Sequence, residues 1–223
     1  MYQADHETGE IFLYDAIGSS MWGMIDAATV LPDLAKMSGK RVTLRISSPG
    51  GSVDEGRAIY NALKRHQGGV DVVVDSSAYS IASYIAMAGD RVVMAKNAMM
   101  MVHNPWTMAM GSAAELRKTA DVLDKYRDSI IDAYTDRTKK DRKKMMSILD
   151  AETWYTATEA VAAGFATEVG DIIVDAPSFA KAMYGGKLDS DQKNEPFAGS
   201  RTPWTLLKDR ETWRGRMPGS GMK

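Results

Sequence analysis

Four serines, Ser76, Ser77, Ser80 and Ser83, lie where a strand-like run, Val70-Asp71-Val72-Val73-Val74, gives way through small residues to an alanine-rich apolar stretch ending at Gly89. A serine at the start of a buried helix sits beside free amide N–H groups that stabilise nearby negative charge. The competing reading of such a serine is a plain N-cap. To act as a nucleophile it needs a base of near-neutral pKa, and imidazole is the usual supplier. The chain has three histidines. His6 lies in a polar leader, and His66 follows Lys64-Arg65 at a helix end, where a cation suits the dipole. His103 closes the apolar run Met99-Met100-Met101-Val102 and precedes Asn104-Pro105. It alone is placed like a catalytic base; the alternative is a satisfied core histidine. A carboxylate in Asp150-Ala151-Glu152-Thr153-Trp154-Tyr155 would orient that imidazole, although Asp150 also fits a helix N-cap. Ser48-Pro49-Gly50-Gly51, after another strand-like run, offers bare amides to an anion or a developing oxyanion, or makes a simple turn.

The elements that must position these residues alternate between two periods. Ile11-Phe12-Leu13-Tyr14, Val42-Thr43-Leu44-Arg45-Ile46, residues 70–74, 91–95 and 99–103 read as strands. Residues 54–66 and 80–88 read as helices between them, and strand–helix alternation of this kind is the α/β signature. Residues 24–38 have helical spacing, with Pro32 pointing either to an interruption or to a start near that residue. Ser112 and Glu115 have capping-box spacing before a long helix over residues 112–136. The basic run at 136–144 reads as a solvated helix end. A short helix at 145–149, a helix at 158–163 stopped by Gly164 and a closing strand within 166–174 complete the pattern. Residues 1–10 read as a polar leader and 11–175 as the folded domain. Residues 176–223 read as a polar tail or linker in which Trp204 and Trp213 are out of character.

Composition narrows the chemistry further. The chain has 223 residues, 44% hydrophobic and 26% charged, the balance of a soluble globular protein, and a formal charge of −1 gives no reason to expect nucleic acid or an anionic membrane as partner. Cysteine is absent, which removes disulfides, thiolate metal sites and a cysteine nucleophile. Three histidines make a histidine-rich metal site a poor expectation, and no apolar run approaches membrane-spanning length. No metal and no cofactor are expected, and the location expected is cytoplasmic.

Taken together, four segments resemble the ClpP-like serine peptidases of the ClpP/crotonase superfamily. They are Ser48-Pro49-Gly50-Gly51-Ser52-Val53; Ala78-Tyr79-Ser80-Ile81-Ala82-Ser83 with Gly89; Met100-Met101-Val102-His103-Asn104-Pro105; and Glu159-Ala160 with Gly164-Phe165-Ala166. The resemblance covers roughly residues 10–175. It implies an α/β, ClpP/crotonase-type fold of repeated β-β-α units with a protruding long handle helix, residues 112–136, by which family members interlock into rings. It also implies Ser80 as nucleophile, His103 as general base, and the Gly51 and Ile81 amides as the oxyanion hole. The family's acid is an aspartate; the matching position is Glu152, with Asp150 as the rival two residues earlier. Serine at 76, where the family commonly has glycine, and the bulky Tyr79 depart from the pattern.

Asp90-Arg91, Glu152-Thr153-Trp154 and the polar tail look most like phage or prophage head-maturation proteases of ClpP type. That resemblance implies a homo-oligomeric serine endopeptidase cutting scaffold and capsid proteins. The alternatives are a ClpP-type peptidase fed by a separate AAA+ unfoldase, a crotonase-like acyl-CoA enzyme, and an inactive scaffold protein with the same fold. No Walker motif is present, so an unfoldase would be another chain.

Overall fold

The computed structural model describes residues 1–170. The expected tail at 176–223, with Trp204 and Trp213, and the part of the expected closing strand at 171–174 lie outside the described residues.

The chain opens with a hairpin, β1 (Tyr2–Asp5) antiparallel to β2 (Glu10–Leu13). The expectation of a polar leader at 1–10 is therefore corrected. The Asp5 carboxylate accepts from the Glu7 and Thr8 amides, and Gly9 turns back at φ 76 to bond the Asp5 carbonyl. Four residues are too few for a polar strand's alternation to show in the sequence.

Helix α1 (Ala27–Lys36) is capped by Asp26 and runs through Pro32, so it neither fills 24–38 nor starts at the proline. Pro32 removes one ladder bond; Val30 and Leu34 are buried on the inner face, and that packing outweighs the loss. Strand β3 (Val42–Ser48), helix α2 (Val53–Arg65), strand β4 (Val70–Tyr79), helix α3 (Ile81–Ala86) and strand β5 (Arg91–Ala95) follow. Strands β2, β3, β4 and β5 pair in parallel, and β8 (Glu168–Gly170) joins β5. Ile11, Leu13, Leu44, Ile46, Val72, Val74, Val92 and Met94 point to the helical side and form one core with Val30, Leu34, Ile59 and Leu63.

Strand β4 is longer than its apolar run suggests, and the extra length matters. Residues 71–74 pair with β5, but Ser77–Tyr79 pair with a different strand, β6 (Met99–Val102), again in parallel. Strand β7 (Thr153–Thr156) lies antiparallel on β6. The sheet thus forks along β4, and the fork carries residues 80 and 103 to one edge.

Helix α4 (Ala113–Thr138) begins with the capping box predicted from Ser112 and Glu115. Its C-terminal third buries Ile130, Ile131, Ala133 and Tyr134, while residues 112–118 are all exposed. The basic run does not form one solvated end. It divides between the end of α4, a left-handed Lys139, and helix α5 (Arg142–Asp150), capped by Asp141. Arg137 turns inward to the Asp90 carbonyl and Lys140 to the Ala163 carbonyl. Helix α6 (Ala157–Ala163) has its own capping box, Thr156 with Glu159, and ends at Gly164 in the left-handed region. No helix among the described residues is long and apolar enough to cross a membrane.

Candidate active site

Parallel neighbours end at the same edge of a sheet, so the residues just past β4 and β6 must meet. Tyr79 pairs with Met101, and the Ser80 amide donates to the Met101 carbonyl at 2.9 Å. Two residues past Met101, just beyond the end of β6, His103 places Nε2 2.8 Å from Ser80 Oγ. The other two histidines are elsewhere: His6 contacts Asp33, and His66 contacts the Lys40 carbonyl.

Ser80 has φ 53 and ψ −128, and its side chain makes no capping bond to α3. An N-cap serine has extended backbone angles and turns its hydroxyl toward the helix amides. Ser80 does neither; it holds a conformation that costs about 1–3 kcal/mol and aims Oγ at the imidazole. The competing serines are placed differently. Ser76 and Ser77 lie within β4, and Ser83 is fully buried, donating to the Ser80 carbonyl at 2.6 Å and sharing a 2.9 Å bond with the Tyr134 hydroxyl. Burial pushes the Tyr134 phenol well above its ordinary range, so it remains a neutral partner.

The glycine segment lies against this junction. A Cβ on Gly50 would come within 2.6 Å of the Tyr79 carbonyl oxygen and 2.7 Å of Ser80 Cβ. One on Gly51, at φ 144, would fall 1.9 Å from the Ile17 carbonyl oxygen. Only glycine permits both approaches. Ile17 fixes the loop through its amide to the Gly50 carbonyl, 2.8 Å, and its carbonyl to the Ser52 amide, 2.7 Å. The Gly51 N–H takes no part in that bridge. The Ile81 N–H is in the first turn of α3, where a helix has no internal acceptor for it. Nothing in the sequence singled out Ile17, because its contribution is a backbone bridge that any residue could make.

The third group follows from the β6–β7 ladder. Val102 pairs with Thr153, so the next antiparallel step sets His103 opposite Glu152. The Glu152 carboxylate lies 3.5 Å from His103 Nδ1, within ion-pair range but longer than a hydrogen bond, and its side chain is 56% exposed against 13% for the histidine. Glu152 also has a left-handed backbone, φ 45, and receives the Trp154 indole N–H at 3.4 Å. Asp150 is the last residue of α5, not an N-cap, and its carboxylate accepts from Asn104 Nδ2 at 2.7 Å. The structure thus brings Ser80, His103, Glu152, Gly51 and Ile81 to one edge and gives Asp150 to Asn104. Chemically, the arrangement can pass the Ser80 proton to His103, stabilise the imidazolium with Glu152, and present amides to an oxyanion. Among the described residues no group of three or more histidines and carboxylates could hold a metal ion.

The Clp protease family model matches residues 1–172. The ATP-dependent Clp protease proteolytic subunit 1 of Protochlamydia amoebophila is 29% identical over 167 residues, covering 73% of this chain and 81% of that protein. A solved mutant of ClpP1 from Listeria monocytogenes superposes with a TM-score of 0.66 at 22% identity, covering 75% of this chain and 94% of that one. The fold is the mixed α/β fold of ClpP structures, and the chain belongs to the Clp protease family.

Proposed function

We propose that this chain is a serine endopeptidase in which Ser80 attacks the scissile carbonyl. His103 Nε2 takes the Ser80 proton as the new C–O bond forms, while the Gly51 and Ile81 amides hold the oxyanion. The tetrahedral species collapses, His103 returns the proton to the leaving amine, and the acyl group stays on Ser80. Water, deprotonated by His103, then releases the acid and restores the serine. The observation carrying this reading is the 2.8 Å Ser80–His103 contact made by a serine in strained backbone geometry that does not cap its helix. Acyl-CoA chemistry on this fold would leave that contact without a purpose, and so would an inactive scaffold. Hydrolysis of a fluorogenic peptide by the wild-type protein, lost in Ser80→Ala, is the test. Activity retained in Ser80→Ala would refute the assignment.

The biological role in this reading is maturation of a phage prohead, with scaffold and capsid proteins as substrates, supported by Asp90-Arg91 and by glutamate at 152. A second reading, a peptidase fed by a separate unfoldase, is favoured by the similarity to a subunit described as ATP-dependent. Coexpression with capsid and scaffold proteins, without any ATPase, separates the two: cleavage supports maturation, and cleavage only with an unfoldase and ATP supports the second. In both readings the working form is a homo-oligomer joined through α4, whose outer half leaves Leu116 and Val122 more than 40% exposed. Light scattering should find an assembly at micromolar concentration; a monomer would contradict it.

A further inference from the structure

We propose that the Asn104–Asp150 hydrogen bond is a positioning clamp that sets the separation of His103 from Glu152; this rests on the serine-peptidase reading above. The β6–β7 ladder ends at Val102 and Thr153, so His103 and Glu152 both stand one step beyond the last paired residues. Backbone pairing does not hold them together there. Asn104 adjoins His103, Asp150 lies two residues before Glu152, and their 2.7 Å bond closes the gap from the far side. The two residues stand at either side of the open end of the ladder, with the His103–Glu152 pair between them and Val102–Thr153.

Two energetically costly features flank this bond. The Asp150 carboxylate only accepts, so Asn104 must turn Nδ2 toward it, and Asn104 Oδ1 is left buried without a partner. Glu152 itself has φ 45, left-handed just past the end of α5, where its amide donates to the Leu149 carbonyl at 3.2 Å; that bond fixes its backbone but not the distance of its carboxylate from His103. The Ser80–His103 contact, by contrast, is fixed by β4–β6 register and does not depend on the clamp. Asn104 and Asp150 are thus positioning residues that act through Glu152, and they affect turnover rather than substrate binding.

The test is steady-state hydrolysis of one peptide by Asn104→Ala in the wild-type and Glu152→Gln backgrounds. In the wild-type background kcat should fall about tenfold with KM unchanged, since a displaced orienting group weakens catalysis but not binding. In the Glu152→Gln background the same substitution should cost nothing further. Asn104→Asp, which sets two carboxylates face to face, should also lose activity, and Asn104→Asp with Asp150→Asn should recover it by exchanging donor and acceptor. Full kcat in Asn104→Ala, an equal loss in both backgrounds, or no recovery in the exchanged pair would overturn the clamp. Hydrolysis that survives Ser80→Ala would instead refute the serine reading, and that outcome is distinct from all of these.

Discussion

Ser80 and His103 are held very differently from Glu152, although all three meet at one edge of the sheet. The first pair hangs from adjacent parallel strands in fixed register, with a 2.8 Å contact and a nearly buried imidazole. Glu152 hangs from a turn past the end of an antiparallel ladder, half-exposed, 3.5 Å from the ring. Under the proposed mechanism the proton-transfer pair is built into the sheet, whereas the orienting carboxylate is adjustable. A solvent-screened carboxylate stabilises an imidazolium less than a buried one does.

Breaking the rigid half should have the largest effect. His103→Ala should lower kcat/KM by at least roughly 10⁴-fold, because members of such a set act as a unit. His66→Ala, which removes only a contact to the Lys40 carbonyl, should leave kcat/KM at the wild-type value. Breaking the adjustable half should do less. Glu152→Gln should lower kcat by roughly 10²-fold, short of the roughly 10⁴-fold expected for a buried orienting carboxylate. A 10⁴-fold loss would show that Glu152 closes on His103 during catalysis and would erase the contrast.

Two stability measurements sharpen the same comparison. Glu152→Gly relieves a left-handed non-glycine backbone, so urea unfolding should show a gain of about 1 kcal/mol alongside reduced turnover. The smallest effect concerns the support of Gly51. Asp26 caps α1 next to Ile25, which pairs with Ile17 beneath the glycines. Hydrogen bonds from Ser20 and Thr29 hold its carboxyl well below the usual carboxylate range. Its contribution is therefore fully present above about pH 4 and is lost as pH falls through the folded-state pKa. Asp26→Asn should lower the urea midpoint at pH 7, and the difference from wild type should shrink in more acidic buffer.

Much of this was legible in the sequence, for identifiable reasons. Strands β3, β4 and β5 declared themselves by β-branched runs, the capping box of α4 by Ser112 and Glu115, and His103 by its place after an apolar run. Asp150 and Glu152 were not separable from local pattern, because the choice depends on β6–β7 register, which places residue 152 and not 150 opposite the histidine. Asp150 looked like an N-cap because the end of α5 carries no terminator before it. The fork in β4 was hidden because Asp75-Ser76-Ser77 lacks strand propensity: β3 pairs with Val74 and Ala78 on either side of it across a register shift, and β6 pairs only from Ser77 onward. Local charge counting makes Arg137 and Lys140 solvated, because it cannot see carbonyl partners 47 and 23 residues away in the chain.

The central claim is that Ser80 is an activated nucleophile, and a fluorophosphonate tests it most directly. The reagent phosphonylates a serine whose proton a neighbouring base removes, so the site of attachment reports the nucleophile without any assumption about substrate. Mapping the labelled peptide by mass spectrometry should place the adduct on Ser80, with no labelling in His103→Ala. An adduct on Ser76, Ser77 or Ser83, or rapid Ser80 labelling that persists in His103→Ala, would contradict the account.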